Sequence, residues 1–215
     1  MDKYLLPTLT DVPETIILAD GDFPVHPLVV ALLDACPYVV CCDGAANRYI
    51  RSGRMPVAIV GDGDSLLPEV REQYGSLIHS EAEQDTNDLS KAFRFCLSQG
   101  RRNILILGAT GKREDHTLGN ISLLMDYMDL ATVSMLTNYG VFTPVKGNAE
   151  FQSYPGEQVS VFNMGGCAGA DLSFVGLYQL VARYAERSCR RELHNPDGWE
   201  DSCLSDIYPI VCLNK

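Results

Sequence analysis

At 215 residues, 46% of them hydrophobic, the chain is long enough for one large or two small domains, each with a core of its own. A net charge of −11 argues against a nucleic-acid partner, because a phosphate backbone wants a basic face, yet it leaves room for a nucleotide whose phosphates meet carboxylates through a metal ion. Residues 1–11 lack a basic segment followed by an apolar one, no run approaches the roughly 18 apolar residues of a membrane span, and the eight cysteines form no CxxC pair; the expected setting is a reducing cytoplasm with free thiols.

Taken in order, residues 14–20 (ETIILAD) read as a buried strand and 26–35 (HPLVVALLDA) as a helix. A strand is expected over 38–42, a short helix over 45–52 stopped by Gly53, a strand over 57–60, and a helix over 68–74 with Pro68 in its first turn. The clearest helix runs over 86–99, with Leu89, Phe93, Cys96 and Leu97 on one stripe and Asp88 and Lys91 on the opposite face. A strand over 103–107, a helix over 115–128 with Leu118, Ile121, Met125 and Met128 on one side, and a strand over 131–137 complete an alternating β/α pattern. That alternation predicts an α/β domain with a mostly parallel sheet over 1–137. Beyond Asn138 the pattern turns to short β-rich pieces, at 140–145, 149–154, 158–163 and 170–175, broken by turn residues. These predict a small antiparallel domain over 138–215.

Polar clusters sit where strands end, and in an open α/β sheet that is where ligands bind. One strand ends in Asp43-Gly44-Ala45-Ala46-Asn47-Arg48 and the next in Gly61-Asp62-Gly63-Asp64-Ser65. Two carboxylates two residues apart on an extended chain point the same way and repel unless a cation joins them, which suits Mg²⁺; a plain Asp-Gly turn is the competing reading. The segment Gln84-Asp85-Thr86-Asn87-Asp88 leads into the long helix, where acidic residues also serve as ordinary caps. Lys91 in the first turns opposes the helix dipole, so an anion beside it would explain its place. The loop Gly108-Ala109-Thr110-Gly111-Lys112-Arg113-Glu114-Asp115-His116 joins strand to helix through glycines, fit to hold phosphate on backbone N–H groups, and Arg113 can fork onto two oxygens. It is neither a Walker A loop nor GxGxxG. No spacing among Cys189, His194 and Cys203 matches a zinc site, and no GxSxG elbow exists.

DGAANR, GDGDS, QDTNDLSKA and GATGKREDH, in that order and spacing, resemble the thiamine pyrophosphokinase family. The resemblance is strong over 14–137. It implies an α/β domain followed by a β-sandwich that binds thiamine and joins two subunits into a homodimer, and it implies transfer of diphosphate from ATP to thiamine with Mg²⁺. By that resemblance Asp43, Asp62, Asp64 and Asp88 form the metal and catalytic group. Gln84, Lys91 and Arg113 hold the nucleotide phosphates, Arg113 also being catalytic, and Asp115 stands beside them at the helix start. In the last third Asn195 matches a residue that shapes the thiamine site, while His194 replaces a family Ser, Lys112 a family Gly, and the arginine-rich 182–191 departs from the pattern. Two other readings stay open at this level: a diphosphokinase for another alcohol, such as a hydroxymethyl pterin, and a non-catalytic sensor of nucleotide or thiamine diphosphate.

Overall fold

The computed structural model describes residues 2–81, 86–146, 149–152, 158–163, 177–181 and 209–214. The chain divides into two compact units, Leu9–Asn138 and a second built from Met1–Thr8 with Tyr139–Lys215.

In the first unit the strands are β2 (Thr15–Leu18), β3 (Val39–Cys42), β4 (Ala58–Gly61), β5 (Ile78–Ser80), β6 (Asn103–Leu107) and β7 (Thr132–Leu136). They pair in parallel, in the spatial order β5-β4-β3-β2-β6-β7. Crossovers are made by α1 (Pro27–Ala35), α2 (Ala45–Arg51), α3 (Pro68–Gln73), α4 (Asp88–Ser98) and α5 (Glu114–Tyr127). Ile16, Ile17 and Leu18 of β2 and Ile106 and Leu107 of β6 have no exposure at all, because a parallel strand covered on both faces has no solvent side. Each such side chain contributes about 1.5–3 kcal/mol by leaving water. The order also fixes a geometric singularity: from β2 the chain winds toward β5, then returns to place β6 on the other side of β2. The connections that leave β2 and β6 therefore lead to opposite sides of the strand order, and such a switch point is where open α/β sheets bind their ligands.

The helices start and stop for local reasons. His26 caps α1, its Nδ1 accepting from Leu28 N–H at 3.3 Å, with Pro27 at the first helical position. Asn87 caps α4 through Oδ1, which accepts from Ser90 N–H at 2.9 Å. In α4 the expected stripe holds for Leu89, Phe93 and Cys96. Two expectations need correction. Lys91, expected on the face opposite the apolar stripe, is only 4% exposed, because the first turn of α4 lines a pocket. In α5 the buried residues are Asn120, Leu124 and Tyr127, while Leu118 is 66% exposed: the helix is rotated so that a polar amide faces inward.

In the second unit β8 (Gly140–Pro144), β10 (Gln158–Asn163), β11 (Leu177–Val181) and β12 (Pro209–Asn214) pair antiparallel in the order β8-β12-β10-β11. A separate parallel pair joins β1 (Asp2–Tyr4) to β9 (Ala149–Phe151), with Tyr4 stacked on Phe151 at 4.9 Å. This pairing ties the first residues to the second unit, a long-range link that no local pattern signals. β1, β5, β11 and β12 were not foreseen; β1 and β5 have three residues each, too few for a periodicity to register. The strand expected at 170–175 and the turns at 147–148 and 155–156 lie outside the described residues.

Candidate active site

Beyond the carboxyl ends of the strands lies a pocket of about 590 Å³, walled by five segments of the first unit. The loop after β2 supplies Asp20 and Gly21, the end of β3 supplies Cys42, Asp43 and Gly44, and the turn after β4 supplies Asp62 and Ser65. The start of α4 supplies Asn87, Asp88 and Lys91, the loop into α5 supplies Lys112 and Arg113, and α5 itself supplies His116 and Asn120. Carboxylates and cations thus line the wall together.

The loops after β2 and β6 run against each other. Gly21 N–H donates to Gly108 O at 2.6 Å and Asp22 N–H to Thr110 O at 2.7 Å. A Cβ at position 21 would collide with both of those carbonyl oxygens, so the approach requires glycine there. In the same loop Lys112 adopts a left-handed φ of 59°, and its Nζ reaches across to Asp20 Oδ1 at 2.9 Å.

Asp43 follows β3 at a φ of 31° and is 4% exposed. Its Oδ2 accepts from Ser65 N–H at 3.0 Å; its Oδ1 is buried with no hydrogen-bond partner among the described residues. Burial pushes this carboxyl above the usual Asp range, the Ser65 N–H pulls it down, and the charges of Asp88 and Asp62 push it up again. A raised carboxyl binds its proton more tightly folded than unfolded. Its stabilisation is complete at low pH and is lost as pH rises through the folded value, so the ionised form is the less stable one.

The Gly61–Ser65 segment folds as a turn rather than extending. Asp62 Oδ1 accepts from Asp64 N–H at 3.0 Å, Gly63 has a φ of 81°, and Leu66 N–H donates to Gly63 O at 3.2 Å. Asn47 of α2 pins the turn, donating to Ser65 O at 2.7 Å and accepting from Leu67 N–H at 3.0 Å. Asp62 lines the pocket; Asp64 is exposed and is not among the lining residues.

Asp88 opens α4, and its Oδ1 lies 3.3 Å from Nζ of the buried Lys91. Arg113 precedes α5 and lines the pocket, but its fork is turned onto Asp115: Nε donates to Oδ1 at 3.0 Å and Nη2 to Oδ2. The guanidinium holds the Asp115 carboxyl down at about 2. Both side chains are more than 60% exposed, so the pair is weak and free to open. Gln84 and Asn195 lie outside the described residues. Sequence reasoning missed Asp20 and Asn120 as lining residues, whereas Lys112 and His116 belong to the segment it read as fit to hold phosphate. Asp20-Gly21-Asp22 had a visible signal, since it repeats at the end of β2 the Asp-Gly pattern that follows β3 and β4.

Among the described residues no three His, Cys, Asp or Glu side chains form a ready-made metal cage. Mg²⁺ does not require one: it keeps several waters and takes one or two carboxylates plus substrate phosphates. The unpartnered buried Asp43 Oδ1, with Asp62 and Asp88 lining the same pocket, is a donor set of that kind.

The fold and site define an open-sheet α/β protein with a mixed-charge ligand pocket at its topological switch point. Within that class the chain belongs to the thiamin pyrophosphokinase family. The model of that family's catalytic domain matches residues 29–135 and that of its substrate-binding domain matches 140–180, together more than half the chain. Thiamine pyrophosphokinase 1 of Oryza sativa subsp. japonica is 32% identical, over 52% of this chain and 52% of its own length. Thiamine pyrophosphokinase of Bacillus subtilis (strain 168) is 33% identical, over 50% of this chain and 52% of its own. The chain spans about half the length of the curated relatives it matches. The crystal structure of thiamin pyrophosphokinase from Geobacillus thermodenitrificans superposes with a TM-score of 0.61 at 20% identity, covering 94% of this chain and 97% of that one, a likeness of fold.

Proposed function

We propose that this chain transfers the diphosphoryl group of ATP to the hydroxyl of thiamine. The alcohol oxygen bonds to the β-phosphorus, the bond from that phosphorus to the α-phosphate bridging oxygen breaks, AMP leaves, and the alcohol proton passes to a carboxylate. What carries the reading is the pocket in which Asp43, Asp62 and Asp88 share a wall system with Lys91, Lys112 and Arg113. Reactions at phosphorus need positioning and charge neutralisation more than covalent help, and this pocket supplies both signs of charge.

Asp43, Asp62 and Asp88, with Asp64 in the same turn, are the residues that would hold Mg²⁺. When bound, the ion neutralises phosphate oxygens and draws charge off the transferring group. Lys91, at the amino end of α4, holds a phosphate where helix dipole and ammonium act together. Gln84 adds a contact to the nucleotide in this reading. Arg113 swings from Asp115 to fork onto two phosphoryl oxygens, with Asp115 as its resting partner. Asp88 is the carboxylate we assign to receive the alcohol proton. Arg113→Lys keeps the charge but loses the fork, so turnover is expected to fall more than ATP affinity; weaker ATP binding at unchanged turnover would reduce Arg113 to a ground-state anchor.

The catalytic part, expected over 1–137, is assigned to the first unit, Leu9–Asn138, and thiamine binding and dimerisation to the β-rich residues expected over 138–215, with Asn195 nearest the acceptor. No helix among the described residues is long and apolar enough to cross a membrane. Cys36, Cys41, Cys42 and Cys96 are buried free thiols, consistent with the cytoplasmic setting expected for this chemistry. Light scattering of the homodimer should give twice 23.7 kDa; a fully active monomer would contradict the assignment of a working homodimer. The function itself is tested by following AMP release from ATP with thiamine and with a hydroxymethyl pterin as acceptors. Release that needs both thiamine and Mg²⁺ is expected; release with the pterin alone, or with neither acceptor, would overturn the assignment.

A further inference from the structure

The buried amide of α5 points to a device that the pocket chemistry does not use directly. Asn87, the cap of α4, donates from Nδ2 to Asn120 Oδ1 at 3.0 Å. Asn120, only 9% exposed, donates from its own Nδ2 to Ala109 O at 2.8 Å. Asn87 Oδ1 meanwhile accepts from Ser90 N–H. The result is a directed chain from the first turn of α4, through α5, to the loop that follows β6.

Its direction is fixed from both ends. Turning the Asn120 amide over would set its oxygen against the Ala109 carbonyl; turning Asn87 over would set its NH₂ against the Ser90 N–H. Both amides are engaged at each end. A buried polar side chain with every partner satisfied holds geometry, whereas one with a missing partner costs stability. The two segments so joined carry the opposed parts of the pocket, Asp88 and Lys91 on one and Lys112 and Arg113 on the other. One turn further from the pocket the same helices meet again, Ser90 Oγ with Tyr127 OH at 2.9 Å and Phe93 stacked on Tyr127 at 3.8 Å. That second junction keeps the helices packed when the first is cut, so the amide bridge sets the fine spacing of the pocket and not the fold.

We propose that Asn87 and Asn120 are positioning residues, a paired amide bridge that holds the cation and carboxylate of α4 in register with the phosphate-facing loop before α5. This rests on the diphosphoryl-transfer reading for its kinetic test. Asn87→Ser is the informative variant: Ser still caps α4, so the helix start survives, but nothing reaches Asn120. Asn87→Ser and Asn120→Ala should each lower kcat about 10- to 10²-fold with a much smaller change in the KM for ATP, since the loss is one of alignment. The double variant should be no worse than the poorer single one, the signature of two residues acting through one contact.

Hydrogen exchange on the ligand-free protein reads the bridge without any substrate. Exchange at Gly111 N–H, which donates to Thr117 Oγ1 within the loop, should quicken about tenfold in Asn87→Ser, with Ser90 N–H still protected. Wild-type kcat in Asn87→Ser, additive losses in the double variant, or unchanged loop exchange would each overturn the bridge. If the wild-type protein makes no thiamine diphosphate, the function reading fails while the exchange result still decides this one.

Discussion

Replacing Asp43 by Asn should cut turnover at least about 10²-fold while raising the melting temperature of the ligand-free protein. The two effects share a cause. Asp43 is a nearly buried carboxylate with one oxygen unpartnered among the described residues and with Asp62 and Asp88 pushing its proton affinity upward. In the empty protein its charge is a cost, as the pH argument requires: stability is highest where the group is protonated and declines as it ionises. Asn keeps an acceptor for the Ser65 N–H and removes the charge. Each kcal/mol relieved should raise Tm by about 2–4 °C in a chain of this size. In the proposed transfer the same charge would gather a cation beside the phosphates, and electrostatic contributions of that kind are worth several kcal/mol of barrier. An Asp43→Asn protein that melts lower and turns over normally would show that the residue is merely a structural cap for the Ser65 turn.

Lys91→Met is expected to be the second severe change, lowering kcat about 10²- to 10³-fold. The lysine stem is packed and its ammonium, at 5% side-chain exposure, faces the pocket beside Asp88. Met conserves the stem volume and removes only the charge. The fold should tolerate this, because a cation in the first turn opposes the dipole of α4 and its removal relieves that conflict. Kinetics with ATP as the varied substrate and a parallel melting curve separate the two effects. Lost activity with an unchanged Tm is the expected pair; lost stability with normal kinetics in the folded fraction would make Lys91 a packing residue.

The parallel strands were legible because strands buried on both faces must be apolar at every position, as in Ile16-Ile17-Leu18 and Ile104-Leu105-Ile106-Leu107. The polar clusters were legible because they follow those runs directly. Other features were hidden for equally physical reasons. Helical periodicity sorts residues into apolar and polar faces, so it set Lys91 opposite the apolar stripe without showing that its side chain is buried there. It turned α5 toward Leu118, since nothing local says that Asn120 goes inside; that depends on Asn87 and Ala109 lying opposite it. Asp62 and Asp64 looked like an extended pair, but the Asp62 carboxylate captures the Asp64 N–H and bends the chain. The contact of Lys112 with Asp20 spans 92 residues and follows from the strand order alone.

The central claim, one-step diphosphoryl transfer by this pocket, is tested most directly with ATP labelled at either the α- or the γ-phosphorus, incubated with the full chain, thiamine and Mg²⁺. The γ-label should appear in thiamine diphosphate and the α-label only in AMP, both at the same rate and both abolished in Asp43→Asn. Label from γ in thiamine monophosphate with ADP as the partner product, or transfer undiminished by Asp43→Asn, would contradict the account.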